Sequence, residues 1–178
     1  EEETGTTEDE LITFVEEAEE DGKIGEDESE LIRSAIEFDD IEAIEIFTPR
    51  VDVAAIPDNS TEDEIAKVFS ETGYSRLPVY KGTIDNIIGI LHLKDFYSRV
   101  YKKGKNFKSV MKQPVFVMPS IKVSDLLELF QKSKSHIAII SDEFGGTEGI
   151  VTMEDILEEL VGEIWDEHDD VVEDIREK

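Results

Sequence analysis

The apolar positions of this chain change their spacing near Phe47. Before it, Leu11, Ile12, Phe14, Val15 and Ala18 recur as one stripe on an α-helix. Thr7-Glu8-Asp9-Glu10 precedes the stripe as a capping box: the Thr hydroxyl meets the Glu10 amide while the Glu10 carboxylate reaches back. Asp21-Gly22-Lys23-Ile24-Gly25 breaks the pattern, and a second helix follows with Leu31, Ile32, Ala35 and Ile36 expected inward. After Phe47, short apolar runs alternate with amphipathic helices. The spacing predicts a helix over Thr61–Thr72 with Ile65, Val68 and Phe69 facing in. Strands Leu77–Tyr80 and Ile87–His92 then flank a turn at Lys81-Gly82-Thr83, and a closing helix starts near Leu93. The same order returns as helix Val123–Ser133, strand Ile137–Ser141, turn Glu143-Phe144-Gly145-Gly146, strand Glu148–Val151 and helix Met153–Val161. Gly145 and Gly146 can supply the positive φ that a tight hairpin requires.

The recurrence is an internal repeat. Gly89-Ile90-Leu91-His92-Leu93-Lys94-Asp95 aligns with Gly149-Ile150-Val151-Thr152-Met153-Glu154-Asp155 at an offset of 60. The same offset places Ser75-Arg76-Leu77-Pro78-Val79-Tyr80 on Ser135-His136-Ile137-Ala138-Ile139-Ile140, and Ile56-Pro57 falls on Met118-Pro119 at 62. Each unit reads β-α-β-β-α. One copy has a sheet of three strands with two apolar faces and a helical layer for only one of them, so two copies are expected to pack sheet to sheet. The expected fold is α+β, a mixed α/β arrangement of two such repeats behind an acidic helical segment. Its expected divisions are residues 1–46 for that segment, 47–105 and 106–164 for the repeats, and 165–178 for a linker toward a further domain.

Charge narrows the function. Asp and Glu number 45 against 18 Lys and Arg, a formal net charge of -27, which argues against nucleic acid and anionic lipid as partners. The chain has no cysteine, so thiolate chemistry, disulfides and cysteine-ligated zinc are excluded. His92, His136 and His168 show no metal-ligand spacing, and the acidic turn at Asp21–Gly25 lacks the alternating oxygen ligands of a calcium loop. No apolar run approaches the roughly 20 residues that span a bilayer. Carboxylates are plentiful, yet no P-loop and no Ser-His-Asp order accompanies them, so no enzymatic activity is expected.

The two G-h-h-x-h-x-D junctions (h apolar) that end in Asp95 and Asp155 resemble those of the CBS domain, and the pair resembles a Bateman module. More narrowly, the chain resembles the CorC/HlyC and cyclin-M family of magnesium- and cobalt-related transport proteins. The stretches that carry this are Phe47-Thr48-Pro49-Arg50, Gly73-Tyr74-Ser75-Arg76-Leu77-Pro78-Val79-Tyr80, Lys134-Ser135-His136-Ile137-Ala138 and Gly149-Ile150-Val151-Thr152-Met153-Glu154-Asp155-Ile156. The resemblance implies a regulatory module on the cytoplasmic side of a membrane, attached to a transmembrane domain absent from this chain. It also implies a homodimer, an adenine nucleotide (ATP or AMP) as ligand, often with Mg²⁺, and a C-terminal domain into which Val171–Lys178 would lead.

The candidate site follows from the same comparison. Thr152 and Asp155 lie where a strand ends and a helix begins, a place that favours phosphate through free amides and the helix dipole. Thr152 would meet a phosphate and Asp155 the ribose hydroxyls, although T-x-x-D is also an ordinary helix cap. The resemblance places Thr48, Arg50, Tyr74, Ser75, Arg76 and Pro78 on the other wall, with the arginines toward phosphate and Tyr74 toward adenine. Surface ion pairs for the arginines and a half-buried strand position for Tyr74 are the plainer readings. The first repeat carries a weaker second cleft at His92, Asp95 and His136, since His92 stands in place of Thr152. A scaffold that dimerises without any ligand is the alternative function.

Overall fold

The structure is a computed structural model that describes residues 7–162, so the expected linker from 165 and its lead into a further domain lie outside the described residues. Among those residues, the part up to Phe38 together with Leu157 onward forms one compact unit, and Asp39–Ile156 forms another.

The first unit holds helices α1 (Glu8–Glu20) and α2 (Glu26–Glu37). The capping box on α1 is present: the Thr7 amide donates to the Glu10 carboxylate at 2.9 Å and the Glu10 amide to the Thr7 hydroxyl at 3.3 Å. The expected inward faces are corrected. Val15 and Ser29 are buried, but Phe14 is 71% exposed and Leu11, Leu31 and Ile32 are exposed as well. Ala35 is exposed too, and Ile36 is only partly covered. Two antiparallel helices can hide side chains only along their shared seam, and here the seam takes the small Ser29 rather than the larger residues beside it. Arg33 adds ion pairs from α2 to Glu16 and Glu19 on α1.

The second unit contains the repeats. After helix α3 (Ala43–Ile46) come the short strands β1 (Thr48–Pro49) and β2 (Ile56–Pro57), helix α4 (Glu62–Thr72), and strands β3 (Arg76–Tyr80) and β4 (Ile87–His92). Helix α5 (Leu93–Asp95) continues directly into a wide π-type turn over Phe96–Tyr101. The second copy is β5 (Phe116–Val117), α6 (Val123–Ser133), β6 (Ile137–Ser141), β7 (Thr147–Thr152) and α7 (Met153–Val161). Thr61 caps α4 and Gly73 closes it in the left-handed conformation that glycine adopts without strain.

Two sheets result, β2-β3-β4 and β1-β7-β6-β5. Within each, the short leading strand runs parallel to its neighbour and the following hairpin is antiparallel. The strands are apolar on both sides because both sides are covered. On one side Leu77, Val79 and Leu91 pack with Ile65 and Phe69 of α4 and with Phe96 and Val100. On the other, Ile87 and Ile90 of the first sheet meet Ile137 and Ile139 of the second, which is the expected sheet-to-sheet contact.

Two features of the pairing were not expected. First, the offset between repeats is 61 over most of the unit. Ile56 pairs with Val79 as Val117 pairs with Ile140, and Arg76 opposes His92 as Ile137 opposes Thr152. The offset drops to 60 only from β4 to β7, because the second hairpin loop is one residue shorter. Arg76 therefore corresponds to Ile137, and His136 to Ser75, correcting the alignment drawn from the sequence. Second, the leading segments cross over. Thr48 and Pro49, ahead of the first repeat, pair with Ile150 and Gly149 of the second, while Lys112, ahead of the second repeat, bridges Ile90 of the first.

Candidate functional site

The two strand-to-helix junctions are built alike. The first amide of each closing helix is bonded to the carbonyl just before the repeat's central strand: Leu93 N–H to Ser75 O at 2.9 Å, and Met153 N–H to His136 O at 3.0 Å. Each junction is thereby fixed to the start of its own hairpin. The ends of β4 and β7 and the starts of β3 and β6 thus bring their side chains to a shared region.

At the second junction Thr152 and Asp155 cap the helix reciprocally. Asp155 Oδ2 accepts from the Thr152 amide at 2.8 Å and from its hydroxyl at 2.9 Å, while the Asp155 amide donates to the hydroxyl at 3.3 Å. The plain T-x-x-D reading is therefore realised, and two of the first three helix amides, those of Met153 and Asp155, are already bonded. The Asp155 carboxyl is held above its ordinary range, chiefly by burial, against the bonds from Thr152 that favour the anion. A half-buried carboxyl with one oxygen fully used leaves Oδ1 as the group able to accept from a hydroxyl.

The first junction differs. His92 makes no side-chain cap, and Asp95 pairs with Arg99 at 3.5 Å. Arg76, directly across the ladder from His92, donates through Nη2 to His136 Nδ1 at 3.3 Å; a guanidinium only donates, so the imidazole nitrogen accepts. Arg76 Nε is buried and has no partner among the described residues. His92 is kept below its ordinary pKa first by burial and then by the positive field of Arg76, with Asp95 opposing and Lys112 and His136 adding smaller contributions. Arg76, His92 and His136 are thus brought together with Lys112, a residue that the sequence reading had missed. Its position ahead of the second repeat gave no hint that the leading segment crosses onto β4.

The remaining candidates divide. Thr48 lies on β1 opposite Ile150, two residues before Thr152. Ser75 is exposed and supplies its carbonyl to the first junction, Pro78 is buried within β3, and Tyr74 is 54% exposed. Arg50 is placed elsewhere. Its guanidinium forks onto both oxygens of Asp85 and reaches the Thr147 carbonyl at 3.4 Å, at the start of β7. Thr152 is at the other end of that strand, roughly 16 Å away at the usual rise per residue. Asp85 and Thr147 were not singled out from sequence, since a hairpin aspartate and a strand threonine carry no distinguishing pattern.

Among the described residues no group of three carboxylates or imidazoles could hold a metal ion, and no helix is long and apolar enough to cross a membrane.

Comparison with known proteins agrees with this geometry. Residues 42–102 and 107–162 match the CBS domain family. Hemolysin C of Brachyspira hyodysenteriae is 42% identical over 151 residues, covering 85% of this chain and 56% of that protein. The solved CBS domain of a bacterial CNNM/CorC family Mg²⁺ transporter is 40% identical, with a TM-score of 0.81 over 90% of this chain and 99% of that one. Another structure of a CBS domain of the bacterial CNNM/CorC family Mg²⁺ transporter, in complex with ATP, is 39% identical with a TM-score of 0.72 over 77% of this chain and 99% of that one. The chain spans about half the length of the curated relatives it matches. With two matched repeats, their paired sheets and these relatives, the chain is a tandem CBS-domain pair and belongs to the CNNM/CorC family.

Proposed function

We propose that this CBS pair is a regulatory sensor of adenine nucleotide, and that its occupancy biases an attached membrane transporter for Mg²⁺ or a related divalent ion. The observation that carries the reading is Arg76. Its Nε is buried without a partner beside His92 and His136, in a chain of net charge -27. A buried unpaired donor of this kind is costly unless an acceptor arrives. A nucleotide phosphate is such an acceptor, and the related CBS domain seen with ATP supports that choice of ligand.

The residues present fit the ligand. Arg76, with His136 beside it, would hold phosphate, helped by His92 and Lys112. Asp155 Oδ1 would accept from the ribose, and Thr152 would turn its hydroxyl toward phosphate by giving up its bond to Asp155. Tyr74 and Ser75 would flank the nucleotide at the exposed rim, with Pro78 beneath and the Thr48 backbone alongside. Arg50 is left out of the phosphate wall by its bonds to Asp85. Mg²⁺ would enter with ATP, offsetting phosphate charge that the acidic chain otherwise repels. Two clefts whose walls come from both repeats would transmit occupancy as a change in the packing of one repeat on the other. The module would act as a homodimer on the cytoplasmic side of the membrane, behind its own transmembrane domain.

Calorimetric titration of the chain with ATP, with and without Mg²⁺, and with AMP, tests this. Binding that strengthens with Mg²⁺ and weakens at least tenfold in Arg76→Gln supports the sensor. No heat with either nucleotide, in folded protein freed of ligand, overturns it and leaves the ligand-free dimerisation scaffold.

A further inference from the structure

The chain's acidity is not uniform. Residues 96–124 contain no Asp or Glu, although roughly one residue in four is acidic over the whole sequence, and they carry Arg99, Lys102, Lys103, Lys105, Lys108, Lys112 and Lys122. Within this stretch Lys102, Lys103 and Lys105 are exposed and have no carboxylate within ion-pair distance among the described residues. Arg99 and Lys108, by contrast, pair with Asp95 and Asp58.

The segment is held in shape. Phe96 and Val100 anchor it on one side and Phe107 and Val110 on the other, all four buried in the first repeat's core. Between them the Lys102 amide bonds Tyr97 O at 3.3 Å, the Gly104 amide bonds Val100 O at 2.7 Å and the Lys105 amide bonds Arg99 O at 3.2 Å. Gly104 takes the positive φ of 64° that this reversal needs. The wide helical turn sets Tyr97 and Tyr101 edge to face with centroids 5.8 Å apart, and both rings are exposed, at 36% and 54%.

We propose that this knuckle, Tyr97 and Tyr101 with Lys102, Lys103 and Lys105, is a docking surface for the anionic face of a lipid bilayer. Lysines of this kind are attracted by acidic headgroups, and tyrosines with one apolar and one wet edge settle at headgroup depth. Net charge argued against anionic lipid, but that argument fails locally. Screening over about 8 Å at physiological salt hides distant carboxylates from a surface that meets only the knuckle. An acidic protein segment would satisfy the lysines but would give no use to two exposed adjacent tyrosines. The proposal rests on the charge map and the exposed tyrosine pair, and does not depend on nucleotide binding.

Co-sedimentation of the whole chain, without nucleotide, with vesicles of phosphatidylcholine and of phosphatidylcholine with an equal part of phosphatidylglycerol tests it. The expected result is binding to the anionic vesicles only, weakening as salt is raised. The triple variant K102E/K103E/K105E should lower the partition on the order of a hundredfold, since each lysine contributes roughly a fivefold factor. These side chains are exposed and unpaired, so the variant's circular dichroism and its ATP titration should match the parent. Absence of binding to anionic vesicles at low salt, equal binding to neutral vesicles, or binding unchanged by the triple variant would each overturn the proposal. So would capture by polyglutamate or by single-stranded RNA with none by vesicles, which would assign the knuckle to a protein or nucleic-acid partner.

Discussion

The carboxylate of Asp85, in the hairpin loop of the first repeat, accepts the backbone N–H of Thr147 at 2.9 Å, at the first residue of the second repeat's last strand. Arg50, from the segment that leads into the first repeat, donates to both oxygens of the same carboxylate. Three separate stretches of chain are thereby tied at one end of the paired sheets. The bond from Thr147, then that from Arg50, keeps Asp85 below its ordinary pKa.

A lowered carboxyl pKa adds stability that is fully present above the unfolded value of 3.8 and is lost as pH falls through the folded value. The Asp85→Ala variant should therefore have a lower Tm than the parent at pH 7, and the gap should close as pH is taken below about 4. Asp85→Asn still has an oxygen for the Thr147 amide and should recover part of the loss. Thermal melts across pH 3 to 7 check this. A gap that persists unchanged at the acid end would remove the ionised Asp85 from the account.

Crossing of the leading segments explains the glycine in each junction motif. A Cβ at Gly149 would overlap the Thr48 carbonyl oxygen and press into the Phe47 ring, whereas one at Gly89 would meet the Met111 side chain, its sulfur at 2.9 Å. Backbone cannot yield as a thioether can. Gly149→Ala should destabilise the domain by about 3 kcal/mol or more and Gly89→Ala by about 1 kcal/mol. Urea unfolding of the two variants side by side checks the order; equal losses would contradict the crossed pairing of β1 on β7.

Much of this architecture was legible because each element carried its own local signal. Thr61 with Glu64, and Thr7 with Glu10, announced helix starts, and the strands showed as apolar runs of the right length. What the sequence could not supply was register. Sliding β6 by one residue exchanges Ile137 for His136 at a position that decides which cleft is cationic, and a run of apolar residues buried on both faces reads equally well in either frame. Loop length settles it: Asp142 accepts amides from Phe144 and Gly146 in a hairpin one residue tighter than Lys81–Asn86. The site was legible in part for a related reason. Thr152 and Asp155 lie within one motif. Arg50, Asp85 and Thr147, or Arg76 and Lys112, meet only once distant segments have folded together.

Asp155 allows capping and ligand binding to be separated. Its raised pKa means that burial of the anion costs stability once pH exceeds the folded value, and that this penalty is absent below the unfolded value of 3.8. In Asp155→Asn the amide oxygen can still accept from Thr152, and the penalty disappears. The variant should melt at or above the parent's Tm at pH 7, yet bind ATP roughly 10- to 100-fold more weakly, the worth of a hydrogen bond to a charged acceptor. Unchanged ATP affinity would confine Asp155 to the cap.

His92 makes the cleft sensitive to pH in two opposed ways. Burial and Arg76 hold its folded pKa below the ordinary 6.5, so the ligand-free protein should lose stability as pH falls from above that value toward the folded one, where protonation becomes possible in the native state too. A phosphate placed between Arg76 and His92 reverses the local field and raises that pKa. Nucleotide should then bind more tightly at pH 6 than at pH 7.5 and take up protons as it does so. Calorimetry of ATP binding in buffers of differing ionisation heat measures the uptake directly, and His92→Gln should abolish both the uptake and the pH slope. If the slope survives in His92→Gln, the phosphate does not lie at the first-repeat junction, and the anion must be held on the Thr152 side of Arg76 instead.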